Sequence, residues 1–327
     1  MFIRYHHRYR LIIFVSLLLF SSFYCFYKIW IVDEIYEWDD ETNLDLSGYL
    51  SKSTFLIYPW KLSPSSATRV LSVILSSPGN FKHRSAIRKT WKLKLEQLDG
   101  FEAIFLVGMS ANDSIINSRV ENEAKEHGDV LLVDILEHYN NLTLKMGMLL
   151  KFVAEFHLPN QPAFLLKLDD DVFINVDYFA SIFPKAQHQN HITGFVYEDT
   201  VALRWAFRNS PEEQYKWNAP KWMYPLDTYP DYVAGPMYAI PSRFIPCLYD
   251  QLLSTVPFFY IEDVYYTGIL RQKCHLELKH EQSFIWADPC FENVSVVHKV
   301  DANRQFIYDR FFKSDPKKRR VLCQDLL

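Results

Sequence analysis

The sequence predicts an α/β fold built on one mostly parallel central sheet, and three observations carry that prediction. Short apolar runs alternate with longer helical stretches from Val70 to Leu168, the pattern of strands joined by crossover helices. One of those runs, Ala163 to Leu168, passes straight into Asp169, Asp170 and Asp171, and ligands of open sheets sit beyond the carboxyl ends of the strands. The bulk composition is that of a folded domain: of 327 residues, 49% are hydrophobic and 23% charged, which argues against extensive disorder.

The N-terminus stands apart from this pattern. Arg4, Arg8 and Arg10 precede an apolar run from Leu11 to Tyr27, which Lys28 and Ile29 to Val32 prolong. The 22 residues from Leu11 to Val32, at about 1.5 Å each, cross a hydrocarbon core of roughly 30 Å. Arginines before the run and acids after it (Asp33, Glu34, Glu37, Asp39, Asp40) place residues 1–10 in the cytosol and the rest on the far side. A cleaved signal peptide is the competing reading, but the bulky stretch Phe23 to Tyr27 offers no small-residue cleavage site. Residues 33–68, acidic and then rich in Ser and Pro, read as a stem, with Phe55, Leu56, Ile57, Tyr58 and Trp60 available to dock onto the domain at 69–327.

Within that domain Val70 to Leu75 is strand-like and His83 to Leu98 helix-like. Phe101 to Val107 is a strand ending at Gly108, and Asp113 to His127 has the start signal of a surface helix. Asp129 to Ile135 is a strand, Thr143 to His157 a helix and Ala163 to Leu168 a strand. Beyond Val176 the chain is richer in Pro, Tyr and Trp and its periodicity is poor, consistent with a second half of the same domain. The run Lys313 to Arg320 reads as a solvated basic end. Asn112, Asn141 and Asn293 each begin a glycosylation tripeptide. Cys247, Cys274, Cys290 and Cys323 allow three pairings, with Cys25 left in the apolar run. With 35 Lys+Arg against 39 Asp+Glu, the net charge of −4 gives no basic face for a nucleic acid.

Several side chains suggest chemistry. Three successive carboxylates are costly unless a cation or water compensates them. In an extended segment Asp169 and Asp171 share one face and Asp170 takes the other, and such hard oxygens suit Mn²⁺ or Mg²⁺. An acidic surface turn would explain them equally well in isolation. Arg84 and Arg88 are four apart on one helix face, and guanidinium forks suit a diphosphate; salt bridges to Glu96 or to the acidic stem are the alternative. Lys145 and Lys167 can neutralise phosphate or support the aspartates. Gly235, between Tyr232 and Tyr238, reads as a close-approach or turn glycine, and Trp222, Tyr229 and Tyr232 offer flat faces for a hexose, with plain core packing as the alternative. Glu262 and Asp263 follow the apolar stretch Val256 to Ile261, where desolvation makes a carboxylate a better proton acceptor; a helix N-terminal acid pair is the alternative. His298 lies in the alternating run Val296 to Val300.

Five ordered stretches then point one way. Lys167-Leu-Asp-Asp-Asp-Val-Phe-Ile-Asn175 resembles the metal and nucleotide motif of the β-1,3-glycosyltransferase family (glycosyltransferase family 31) that includes the β-1,3-galactosyltransferases and the Fringe enzymes. His83 to Trp91, Gly128 to Lys145, Lys221-Trp222 with Tyr229 to Tyr238, and Glu262 to Gly268 are similar to that family's other blocks, in its order. The resemblance covers roughly residues 70 to 300 and implies a GT-A-like single lumenal domain on a Golgi type II anchor. It implies a UDP-sugar donor, a glycan acceptor on a glycolipid or glycoprotein, and inverting transfer, most simply of galactose, with N-acetylglucosamine and N-acetylgalactosamine as alternatives. Asp263 becomes the expected catalytic base with Glu262 its helper. Arg84, Arg88, Lys167, Asp169 and Asp170 are expected to bind the nucleotide, and Asp171 with His298 the metal. The sequence departs from the family at Leu168, where a small or polar residue is frequent, and at Pro236-Met237 after Gly235. A non-catalytic glycan-binding or chaperone relative would be expected to lose the triplet or the Glu-Asp pair. A secretory kinase would need a Gly-rich phosphate loop, which is not present.

Overall fold

The apolar run at Val70 becomes the strand around which the sheet is laid: all seven residues of Val70–Ser76 are buried, as suits a strand covered on both faces. The computed structural model describes residues 21–22, 46–62, 69–155, 162–204, 216–254, 258–284, 290, 294–315 and 319. Apart from Ser21 and Ser22, the expected membrane span lies outside them, as do Asn293 and most of the basic tail. Among the described residues no helix is long and apolar enough to cross a membrane.

The described residues form ten strands: β1 (Phe55–Ile57), β2 (Val70–Ser76), β3 (Phe101–Met109), β4 (Val130–Leu136), β5 (Phe164–Asp169), β6 (Phe173–Ile174), β7 (His191–Tyr197), β8 (Tyr232–Pro241), β9 (Glu277–His280) and β10 (Val296–Val297). Eight make one sheet in the order β1-β4-β3-β2-β5-β8-β7-β9, and β10 pairs with β6 in a second sheet. Strands β4, β3, β2 and β5 run parallel, as the alternating pattern predicts. The sheet as a whole is mixed, because β8 enters antiparallel to both β5 and β7. That reversal matters for the site. With Leu168 opposite Met237, the beginning of β8 lies beside the carboxyl end of β5.

Local chemistry sets the helix limits. Asp113 Oδ1 accepts the Ile116 N–H at 2.9 Å, capping helix Ser114–His127. Gly128 ends that helix at φ +66°, and a Cβ there would stand 2.2 Å from the Trp60 ring. Only glycine meets both demands. The single helix expected over His83 to Leu98 is broken at Thr90 into Phe81–Lys89 and Trp91–Leu95. Thr90 Oγ1 donates to the Ala86 carbonyl at 2.8 Å, a local bond that competes with helical continuation. The buried Trp91 Nε1 donates to the Val172 carbonyl at 3.2 Å.

The described residues divide into a larger unit, 45–202 with 226–327, and a smaller one, 203–225 with 1–44. Two elements of the expected stem fall in the larger unit. Helix Leu46–Lys52 contributes the fully buried Leu50, and β1 extends the sheet antiparallel to β4. In the smaller unit Arg204 Nη1 donates to the carbonyls of Tyr224, at 2.8 Å, and of Ala219; Lys221 and Trp222 belong to this unit. Of the possible cysteine pairings, the structure forms Cys247–Cys274. Arg319 of the basic end packs over the Phe312 ring and donates to the Phe312 carbonyl at 2.7 Å, so that residue is not free in solvent.

Candidate active site

The acidic triplet falls at the end of β5, where Asp169 closes the strand and Asp170 and Asp171 turn away into β6. Strand β10 pairs antiparallel with β6, Val297 opposite Phe173 and Val296 opposite Ile174, and this carries His298 alongside Asp171. His298 Nε2 lies 3.3 Å from Asp171 Oδ2. The chain then reverses through Lys299 at φ +59°, and the Val300 N–H donates to the Asp171 carbonyl at 2.8 Å. Asp169, Asp171 and His298 each present a ligand atom within 4.8 Å of the others. Asp171 Oδ1 is buried with no hydrogen-bond partner. Burial raises the Asp171 pKa, but the His298 hydrogen bond and charge, with Lys167, hold it net below the ordinary carboxylate value. Two carboxylates and an imidazole around an unsatisfied oxygen fit a divalent cation such as Mn²⁺.

Asp170 faces elsewhere. Its Oδ2 accepts from Ser76 Oγ at 2.6 Å and Asn80 Nδ2 at 2.9 Å, which ties the triplet to the end of β2. Lys145 Nζ donates to the Ser76 carbonyl and to Glu137 Oε2, both at 2.8 Å, so it braces the same corner. Ser76 and Asn80 escape sequence reasoning; the only hint is the Ser77-Pro-Gly-Asn80 turn signal after an apolar strand.

Arg84 and Arg88 do not offer the diphosphate contacts expected of them. Arg84 is fully buried. Its Nε and Nη2 donate to Glu123, its Nη1 to Ser76 Oγ and the Ser77 carbonyl, and Nη2 also to the Pro78 carbonyl. Those bonds use all five guanidinium donors. Arg88 is committed to Asp129 through Nε and Nη2 and to Glu123 through Nη1 at 2.6 Å. Neither partner was among the expected ones, because Glu123 and Asp129 lie 35 or more residues away in sequence. Arg84 reaches the triplet only through Ser76.

The second carboxylate pair comes from the start of the π-helical turn Val264–Leu270. Asp263 is half-buried; its Oδ1 accepts the Val264 N–H at 2.8 Å and its Oδ2 the Gly235 N–H at 3.0 Å. Glu262 is buried, accepts from Tyr238 Oη and lies 3.4 Å from Lys167 Nζ. Burial pushes Glu262 up to about 7 despite the Lys167 charge. Asp263 is also raised, by burial first, with Lys167 and the two backbone N–H groups acting against the shift. Burial alone would lower the Lys167 pKa, but Asp169, Glu262 and Asp263 hold it above its ordinary value. Lys167 Nζ donates to Asp169 Oδ1 at 2.7 Å and to the Gly235 carbonyl at 2.6 Å, which joins the two acidic groups into one site. A cavity of about 540 Å³ lies at the other end of the sheet, among Lys61, Lys92, Asp99, Glu102 and Asp129, and contains none of these residues.

A family model described as galactosyltransferase matches residues 82–282, a span that includes the triplet and Asp263 but stops short of His298. The human β-1,3-galactosyltransferase 5 is 31% identical over 213 residues, 64% of this chain and 65% of its own length. The fruit-fly β-1,3-galactosyltransferase brn is 28% identical over 276 residues, 82% of this chain and 80% of its own. A pig protein named UDP-GalNAc:β-1,3-N-acetylgalactosaminyltransferase 1 is 32% identical over 198 residues, 59% of this chain and 56% of its own. The chain thus spans somewhat under two thirds of the length of the human relative. Among solved structures, the galactosyltransferase LgtC with donor and acceptor sugar analogues aligns at a TM-score of 0.39 and 11% identity, over 77% of this chain and 99% of its own, a likeness too distant to add to the topology above.

Proposed function

The chain belongs to the galactosyltransferase family, a family of hexosyltransferases, and on that premise we propose that it catalyses inverting β-1,3-transfer of a hexose, most simply galactose, from a UDP-sugar to a glycan hydroxyl. The observation that carries this reading is the convergence on Lys167 of a metal-competent cluster, Asp169 with Asp171 and His298, and of the carboxylates Glu262 and Asp263. Of that pair, Asp263 is the base: it is half-exposed, whereas Glu262 is buried and engaged by Tyr238 and Lys167. Asp263 accepts the proton of the acceptor hydroxyl as that oxygen attacks the anomeric carbon on the face opposite UDP. The Gly235 and Val264 N–H groups fix both Asp263 oxygens for that task. A divalent cation at Asp169, Asp171 and His298, when bound, supplies charge neutralisation for the leaving diphosphate. The donor reading leans towards galactose because β-1,3-galactosyltransferases predominate among the relatives. The pig relative keeps N-acetylgalactosamine as the second candidate. The reading extends to the apolar run 11–32 as a type II anchor that holds the domain in the Golgi lumen.

The test is transfer by the purified protein across a panel of UDP-sugars and acceptor glycans with Mn²⁺, set beside Asp263→Asn. The variant is expected to lose transfer by at least about a thousandfold while binding UDP as before. Loss of UDP binding in the variant, or full wild-type turnover in excess chelator, would overturn the assignment.

A further inference from the structure

Lys167 is fully buried, and its ammonium has three oxygen partners: Asp169 Oδ1 at 2.7 Å, the Gly235 carbonyl at 2.6 Å and Glu262 Oε2 at 3.4 Å. Two of the three ammonium donors are used in hydrogen bonds and the buried cation also faces the Glu262 carboxylate, which fits the support of the aspartates that the sequence offers as one of its two readings. Gly235 faces two ways. Its carbonyl is held by Lys167, and its own N–H holds Asp263 Oδ2 at 3.0 Å. A Cβ on Gly235 would lie 3.1 Å from that same oxygen, so a side chain there would press on the carboxylate and displace it by a few tenths of an ångström.

We propose that Lys167 is a positioning residue for the transfer step: anchored at Asp169, it fixes the Gly235 backbone, and Gly235 in turn aims Asp263. A single buried cation then sets the metal-side carboxylate and the base relative to each other. The inference rests on the reading of Asp263 as the base. The competing role is simple charge balance, in which Lys167 neutralises Glu262 and Asp169 and steers nothing.

The two roles part in one comparison. Lys167→Met alone leaves buried carboxylates uncompensated and endangers folding, so the informative protein is Lys167→Met with Glu262→Gln, compared with Glu262→Gln alone. If Lys167 positions the base, the double variant has a kcat at least tenfold below that of the single, with donor KM changed less than threefold. Its acid limb also moves to higher pH. The groups facing Asp263 are Lys167 and Asp169 from β5, Tyr232 and Tyr238 from β8 and its neighbour Glu262; of these Lys167 is the cation, and its loss favours the protonated base. Equal kcat in the two variants sinks the inference alone, whatever the acid limb does, because the lost charge favours the protonated base in either role; no transfer by the wild type sinks the functional reading as well. Should the double variant fail to fold, Gly235→Ala strains the same linkage from its other side. It is expected to lower kcat at least tenfold with UDP affinity retained, and an unchanged kcat would overturn the proposal.

Discussion

A buried carboxylate oxygen with no donor is destabilising by about 1–3 kcal/mol or more, and Asp171 Oδ1 is such an oxygen. Its neighbour His298 offers the nitrogen through which the cluster could hold a cation. Replacing His298 with Ala is expected to weaken Mn²⁺ binding at least about tenfold, read by calorimetry on the isolated protein; an unchanged affinity would remove His298 from the cation site. At this scale the sequence is informative where chemistry is local. Three adjacent aspartates after an apolar run announce themselves, whereas the side on which Asp170 falls is set by the turn that Asp170 and Asp171 make after β5. Arg84 and Arg88 show the opposite case. Their spacing reveals a shared helix face but not the carboxylates they meet, and Glu123 and Asp129 arrive from a later helix end and strand start.

That buried network ties helix Phe81–Lys89 to helix Ser114–His127 and to the start of β4. Glu123 is squeezed between two guanidinium groups, at 2.7 Å from Arg84 and 2.6 Å from Arg88. Burial raises its pKa, and the hydrogen bonds and charges of Arg84 and Arg88 hold it net below its ordinary 4.5. Asp129 is held below 3.8 in the same way, by Arg88 and Lys92 against burial. A lowered folded-state pKa contributes stability that is present above the unfolded value and is lost as pH falls through the folded one. The wild type is therefore expected to lose stability below about pH 4.5, and Glu123→Gln to lose less over that window. At neutral pH the same variant strands Arg84 and should cost about 3–5 kcal/mol. Urea unfolding from pH 7 to pH 3 checks both; parallel pH curves would refute the assignment. Elements with strong periodicity, such as β2, β3, β4 and helix Leu142–Glu155, are legible from the sequence. The antiparallel entry of β8 is not, because strand direction depends on how the preceding excursion returns, and that leaves no periodic trace.

At the scale of the whole molecule, helix Leu46–Lys52 already belongs to the larger unit. If residues 11–32 span a membrane with the N-terminus in the cytosol, protease added to sealed microsomes should leave a fragment shortened by about the first ten residues. Digestion of the domain from outside would reverse that topology. The run and its flanking charges are plain in the sequence, whereas the early start of the domain is hidden because β1 has only three residues. The reacting groups come from widely separated stretches: the triplet after β5, Gly235 in β8, Asp263 after an apolar segment, and His298 after β10. Strand β10 is the last to be made, so a ribosome-bound chain carries the aspartates long before the imidazole that completes their set. Activity should therefore require synthesis to pass His298, and products that stop before Val296 should be inert however well their sheet has formed.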